Sequence, residues 1–359
     1  MSSIIFKNSQ LYSLILVLFF VSVPQMSAAQ IQLTDDLRLS GFGTFSATKS
    51  DNSTPILFNR EIDDEWCFDC DTTLGVQLDW QMSTNFRGAV QVLKRPQDTF
   101  SSPEVERAYL EYSYENLRLK AGRLRVPLYI MSEYYYVSSA YPWLRLPPEI
   151  YSNNLGITHY DGVTVDWDVL INDSVQLTVS PYITIPEEEE FELYGAEFSL
   201  DTDYAFGISS ELYFDDNLLH FAYSKVKTVQ KGLPMGNITY DLNLFSAGMS
   251  YYLWQSLRVQ AEALLEKSIY ANWYAGLDYQ IGQFTPYIQY GQARKTKDSQ
   301  SYLVGVRCDL TRQVNVSLEW QRFTGDKKII SGQFTELQNP LNGFSSKVDL
   351  ISVGLSYTF

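Results

Sequence analysis

Two histidines and three cysteines in 359 residues leave little material for a metal centre or a catalytic pair. His159 and His220 lie far apart in the chain, and neither stands in a recognisable catalytic motif. No catalytic residue, metal ligand or cofactor is therefore expected. Basic charge is also short, with 27 Lys and Arg against 42 Asp and Glu and a net charge of -15, which argues against nucleic acid as a partner. Linkers and low-complexity tracts are missing, so the chain reads as one unit despite its length. Long apolar runs are missing too, apart from one at the N-terminus, and this excludes a bundle of membrane helices.

That one run, Leu11 to Val23, follows Lys7 and precedes Pro24 and the small residues Ser27-Ala28-Ala29. It falls short of the roughly 20 residues a spanning helix needs and reads as a secretory signal. Residues 1–29 are assigned to that signal and 30–359 to the mature protein, with cleavage after Ala28 as the alternative. Export makes oxidation favourable, so Cys67-Phe-Asp-Cys70 is expected to staple its loop with a disulfide. A redox motif would need a thioredoxin-like setting, and a zinc site would need two more ligands nearby. Cys308 alternates with Val304 and Val306 and is expected to act as a small apolar residue.

What the chain has in quantity is alternation. Ile351, Val353, Leu355, Tyr357 and Phe359 share one strand face, and Ser352, Gly354, Ser356 and Thr358 the other. An oily face backed by a polar one, repeated from about Leu37 to Phe359, suits an antiparallel transmembrane β-barrel, and the mean hydropathy of -0.17 is compatible with one. The 26 Tyr and 20 Phe favour strands and membrane interfaces. Tight turns at Ser83-Thr84-Asn85, Glu115-Asn116, Ile171-Asn172-Asp173, Gln255-Ser256 and Arg312-Gln313 contrast with long connections at 50–70, 128–158, 230–240 and 325–348. Seventeen strand-length runs can be drawn, but both termini on one side require an even number. Sixteen strands are expected, with the error lying between Ser174 and Asp216. The acidic tract Glu187 to Glu190 is expected in a solvated loop.

Sixteen strands enclose a bore too wide for side chains to fill. Alternation turns Arg107, Tyr109 and Glu111 inward, and likewise Arg118 and Lys120. A bulge at Ala121-Gly122 is expected to bring Arg123 and Arg125 inward as well, with Leu124 and Val126 in lipid; without it, each Arg would cost roughly 2 to 4 kcal/mol near the bilayer midplane. Asp166, Asp168, Glu197, Glu211, Glu262, Glu266, Asp278 and Glu319 form an acidic lumenal set. Two readings stand: a basic wall facing an acidic one across the bore, or direct salt bridges in a polar interior. The connection 128–158 is long for a structureless one and rich in Tyr, Trp and Pro. Its Glu133, Arg145 and Glu149 are expected to meet a passing solute, unless the segment is an outer flap with no constricting role.

The terminal Phe359, with Tyr357 and the apolar residues before it, resembles the C-terminal assembly signal of Gram-negative outer-membrane proteins. The aromatic segment that follows the basic residues before Pro127 resembles the third loop of trimeric porins, which folds into the barrel. Together with the N-terminal signal, these features make the chain similar to the porin superfamily. Ala121-Gly122-Arg123 to Pro127 and Tyr141-Pro142-Trp143-Leu144-Arg145 resemble a poorly characterised porin-like set. The resemblance implies passive diffusion of small hydrophilic solutes and ions, a homotrimer, contact with outer-membrane lipid and lipopolysaccharide, and insertion by the barrel-assembly machinery. It departs from maltoporin-like channels in lacking closely spaced lumenal aromatics, and its basic residues are too few for a phosphate-selective type. An adhesin or receptor barrel with a plugged lumen is the alternative, and an outer-membrane hydrolase a lesser one.

Overall fold

Side-chain alternation with one oily and one polar face forces each segment into a sheet that must close, because an open edge in hydrocarbon would leave backbone N–H and C=O groups without partners. The computed structural model describes residues 30–359 apart from 59, 97–101, 153–157, 194–195, 233–235, 296–297, 326–331, 337 and 339–344. The expected signal segment lies outside the described residues. Sixteen antiparallel strands form a closed barrel. They are β1 (Leu37–Ser50), β2 (Thr73–Gln81), β3 (Phe86–Lys94), β4 (Glu104–Tyr114), β5 (Leu117–Arg125), β6 (His159–Asn172), β7 (Val175–Thr184 continued by Glu187–Leu193), β8 (Ala196–Phe214), β9 (Asn217–Lys231), β10 (Ile238–Trp254), β11 (Leu257–Glu266), β12 (Tyr270–Tyr279), β13 (Phe284–Ala293), β14 (Ser299–Asp309), β15 (Val314–Gly325) and β16 (Lys347–Thr358). A two-residue strand, Ile31–Gln32, folds back onto Leu39 and Arg38.

The seventeen runs become sixteen in the region where the count failed. The runs at 192–201 and 204–214 are one strand, β8, whose alternation is interrupted by an irregularity between Thr202 and Tyr204. The two pieces of β7 both pair with it, one above the other, and are separated at Ile185-Pro186, where proline cannot donate to the ladder. Glu187 to Glu190 is thus strand rather than loop: Glu190 pairs with Ser199 and Glu188 with Asp201.

Closure joins β16 to β1, from Leu350 opposite Ser50 to Thr358 opposite Phe42. Phe359 extends the ladder by exchanging two backbone hydrogen bonds with Gly41, at 2.9 and 3.0 Å. A Cβ at Gly41 would lie 2.4 Å from the Phe359 ring, so the terminal aromatic lies flat over a residue with no side chain. On β15 and β16, Leu318, Trp320, Ile351, Val353 and Leu355 are exposed on the outer face. Asn315, Ser317, Glu319, Gln321, Ser352 and Ser356 are buried on the other. An apolar skin around a polar interior is the inverse of a water-soluble fold.

Candidate pore

The segment between β5 and β6 reaches across the barrel interior to strands far from its own. It bonds to inward side chains on β10, β11, β12, β14, β15, β16 and β1, and packs against Tyr287 on β13. The backbone N–H of Ile130 donates to Glu262 Oε2 at 2.9 Å, and Glu262 Oε1 accepts from the Tyr151 and Tyr274 hydroxyls at 2.5 and 2.7 Å. Glu319 Oε1 accepts from the backbone N–H of Leu144 at 2.6 Å and from Tyr287 at 2.9 Å. Asn272 donates to the Glu149 carbonyl, Arg307 to the carbonyls of Ser139 and Tyr141, and Ser246 to that of Leu128. Buried carboxylates without donors are costly, and here backbone N–H and phenol groups supply those donors.

Apolar packing completes the seat. Leu128, Ile130, Met131, Trp143, Leu146 and Ile150 bury against Ala222, Leu264, Tyr274, Tyr287 and Leu303, with the Trp143 ring edge-on to Tyr274 at 5.6 Å. The short helix Pro148–Tyr151 lies wholly buried in this cluster. Two strand glycines make room: a Cβ at Gly354 would lie 2.1 Å from Leu144 Cδ1, and one at Gly291 would lie 2.4 Å from the Glu149 carboxyl carbon. Burial pushes the Glu149 carboxyl up from an ordinary 4.5 to about 7, against a hydrogen bond from Ser301.

Arg145 fastens the segment to the first long connection. Its guanidinium grips Asp71 at 2.8 and 3.2 Å, donates to Gln321 at 2.9 Å, and also bonds Ser352. Arg60 and Thr48 bind the same Asp71 carboxylate at 2.8 Å each. Burial would raise that carboxyl, but Arg145 and Arg60 outweigh it and hold it well below the usual carboxylate range. Asp71 follows Cys70, which is joined to Cys67 by a disulfide.

The other half of the lumenal wall keeps a cavity of about 490 Å³. Arg107, Arg118, Lys120, Arg125 and Glu133 line it, together with Ser180, Ser209, Glu211 and His220. Its bases are matched by acids nearby. Arg107 meets Glu133 at 2.8 Å, Arg118 meets Asp168 at 2.6 Å, Lys120 meets Asp166 at 2.7 Å, and Arg125 meets Glu106 at 2.5 Å. Glu111 binds Arg87 at 3.0 Å.

Several expectations change here. No bulge interrupts β5: its pairing with β6 runs without a shift from Leu117 opposite Trp167 to Arg125 opposite His159. The irregularity lies instead on the β3–β4 pair, between Gln91 and Val92, and turns both Glu106 and Arg107 inward. Arg123 therefore stays on the outer face, opposite Ala108, near the end of its strand. There it binds Asp161 at 2.9 Å and Glu187 at 3.5 Å, so it is neutralised rather than bare. Leu124 points inward against Tyr109, Tyr160 and Tyr182, and Val126 packs beside it, so neither is in lipid. Arg145 and Glu149 are buried in the seat of the segment and do not border the cavity. Glu262 and Glu319 hold that seat and are not an open acidic wall, while Asp166 and Asp168 sit beside the bases they neutralise; Glu197 is outside what can be described of side chains. Arg87 and Glu106 were not anticipated. The turn at 83–85 sets Arg87 opposite Glu111 and could have revealed it, whereas nothing in the alternation marks Glu106.

No protein-family model and no curated protein matches the chain. Solved structures do. OmpF of Salmonella typhi, in complex with daunomycin, superposes with a TM-score of 0.61 at 14% identity, covering 92% of this chain and 100% of that one. An anion-selective porin from Comamonas acidovorans gives 0.62 at 10% identity, with 90% and 99% covered. OmpT expressed in the outer membrane of Vibrio cholerae gives 0.53 at 12% identity, with 92% and 100% covered. The chain thus shares the sixteen-stranded porin fold.

Proposed function

We propose that this chain is exported, loses residues 1–29 and forms a water-filled outer-membrane channel for small hydrophilic solutes and ions. The observation that carries this reading is the division of the lumen: one part of the polar wall is covered by residues 128–152, and the other keeps a cavity of about 490 Å³ lined by charged residues. The covering segment narrows the bore, and Arg107, Glu133, Arg118, Lys120 and Arg125 border what remains. Diffusion is passive, since nothing in this reading calls for an energy-coupling element. The oily skin contacts outer-membrane lipid and lipopolysaccharide, Tyr357 and Phe359 present the barrel to the assembly machinery, and the functional unit is a homotrimer.

Planar-bilayer recording of purified protein tests this directly. Stable ohmic steps are expected, with a reversal potential in a salt gradient that moves when Arg118 and Lys120 are both changed to Gln. A conducting channel whose reversal potential ignores those substitutions would refute their role in selectivity. The thorough anchoring of residues 128–152 favours a second reading, a barrel sealed by its own loop that serves as an adhesin or receptor. Absence of conductance would select it.

A further inference from the structure

A covalent link stands next to the carboxylate that holds the covering segment. Cys70 is joined to Cys67, and the residue after it is Asp71, whose side chain binds Arg145, Arg60 and Thr48. Both ends of the link are moored to one strand. Cys67 exchanges backbone hydrogen bonds of 2.8 and 2.9 Å with Thr48 on β1, and the Thr48 hydroxyl donates to Asp71 at 2.8 Å. The disulfide thus closes a small ring through Cys67, Thr48 and Asp71 that fixes where the carboxylate stands. Arg60, in the same connection, tightens it by donating to the Cys70 carbonyl at 2.9 Å as well as to Asp71.

The two sulfurs differ in access. Cys70 is buried with Ile56, Leu57 and Ile62 against Phe323 and Leu350 of the wall, whereas Cys67 is half-buried between Trp66 and Phe68, both exposed. An incoming thiolate meets the Cys67 sulfur first. Attack there breaks the S–S bond and sends its electron pair to the Cys70 sulfur; the second thiol of the attacking molecule then closes its own disulfide and frees Cys67. The dithiol gives up two electrons and two protons, and the protein gains two thiols. Asp64 and Glu65 stand exposed beside the site, which favours an uncharged dithiol over an anionic thiol. We propose that the Cys67–Cys70 disulfide is a redox clasp: oxidised, it holds Asp71 under Arg145 and keeps residues 128–152 seated, and its reduction by a dithiol lets the carboxylate stray and loosens them. Thr72 still bonds the carbonyls of Phe68 and Asp69, at 2.6 and 3.0 Å, so the reduced turn slackens without unfolding.

The test is to treat detergent-solubilised barrels with dithiothreitol, or leave them oxidised, and to time cleavage within residues 128–152 by a protease that lacks disulfides. Intact-protein mass spectrometry reports whether the disulfide has opened. Reduction is expected to quicken cleavage by about three- to tenfold, as suits a clasp closing a short ring. C67S/C70S should be cut at the reduced rate with or without dithiothreitol. In R145A, where the link to Asp71 is already severed, dithiothreitol should add nothing. Unchanged cleavage of protein shown to be reduced would overturn the proposal, as would a disulfide that the folded barrel never yields to the dithiol. Equal acceleration in R145A and the wild type would also overturn it, since the clasp would then not act through Asp71. The oxidised and reduced wild type decide the matter even if C67S/C70S fails to fold, and protection is read without any current, so the result is independent of the channel reading.

Discussion

The two halves of the lumenal wall use the same residue types to opposite ends. On β11 and β15, Glu262 and Glu319 accept hydrogen bonds from backbone N–H groups of the covering segment and from phenols, that of Tyr151 in the segment and that of Tyr287 on β13. On β6, Asp166 and Asp168 accept from Lys120, Arg118 and neighbouring hydroxyls, and their partners remain in reach of water. Both sets are acidic residues at alternate positions of a lumenal strand face. What separates them is whether a segment of the chain lies on top. Where it does, carboxylates become structural acceptors; where it does not, they keep a charged surface.

The difference can be broken most severely at Arg145. It is buried, and its loss leaves the Asp71 carboxylate, also buried, with one guanidinium fewer. Removing one partner of a buried ion pair costs about 3 to 5 kcal/mol. Arg145→Ala should therefore expose residues 128–152 to protease in detergent-solubilised barrels and raise the open-channel conductance. An unchanged cleavage pattern would show that the segment does not depend on this anchor.

Next in size is a pH effect at Glu149. Its carboxyl titrates near 7 in the docked state, against 4.5 ordinarily, so the docked state binds the proton more tightly. Docking is then strongest below pH 4.5, weakens as pH rises to about 7, and stays weak above it, a change of roughly 2 to 4 kcal/mol. Asp71 acts in the opposite sense: its depressed carboxyl sustains the anchor at ordinary pH, and that contribution is lost only as pH falls well below 3.8. Protection of the segment measured between pH 5 and 8 should fall with rising pH in the wild type and stay flat in Glu149→Gln. A flat wild-type profile would sink the assignment.

Smaller still is crowding at Gly354, where Gly354→Val forces Leu144 out of its place at a cost of about 1 to 3 kcal/mol. Loosened docking with an intact barrel, read by protease protection alongside heat modifiability on gels, is expected. On the uncovered wall the same measurements should scarcely move. Arg118→Gln removes a partly exposed ion pair worth about 1 kcal/mol or less. If it loosened residues 128–152 as much as Arg145→Ala does, the two walls would not be distinct.

Much of the barrel was legible in the chain. Period-two alternation in Leu257 to Glu266 and Val314 to Gln321 identifies the lipid and lumen faces residue by residue, and burial follows that pattern. The even-number rule located the one fault, between Ser174 and Asp216, though only the pairing revealed that the 192–201 and 204–214 runs are a single strand. Bulges were the limit. Gly122 invited one on β5, yet the extra residue falls at Glu106 on β4; Arg123 stays outside opposite Ala108, and Arg125 is buried against Glu106. A bulge depends on cross-strand register, and register is a property of two segments at once. The roles of Arg145 and Glu149 were hidden for a related reason: exposed and buried charges look alike in a loop sequence.

Local alternation, turn residues and the aromatic C-terminus were enough to specify an oily cylinder with a polar interior, because each strand's two faces are set by neighbours two positions apart. Which acids became anchors, which paired with bases beside the cavity, and which arginine stayed outside were settled only when neighbouring strands came into register and the segment after β5 came to rest against strands more than a hundred residues away. Those outcomes depend on desolvation and on partners brought from remote parts of the chain, and no stretch of sequence carries that information by itself.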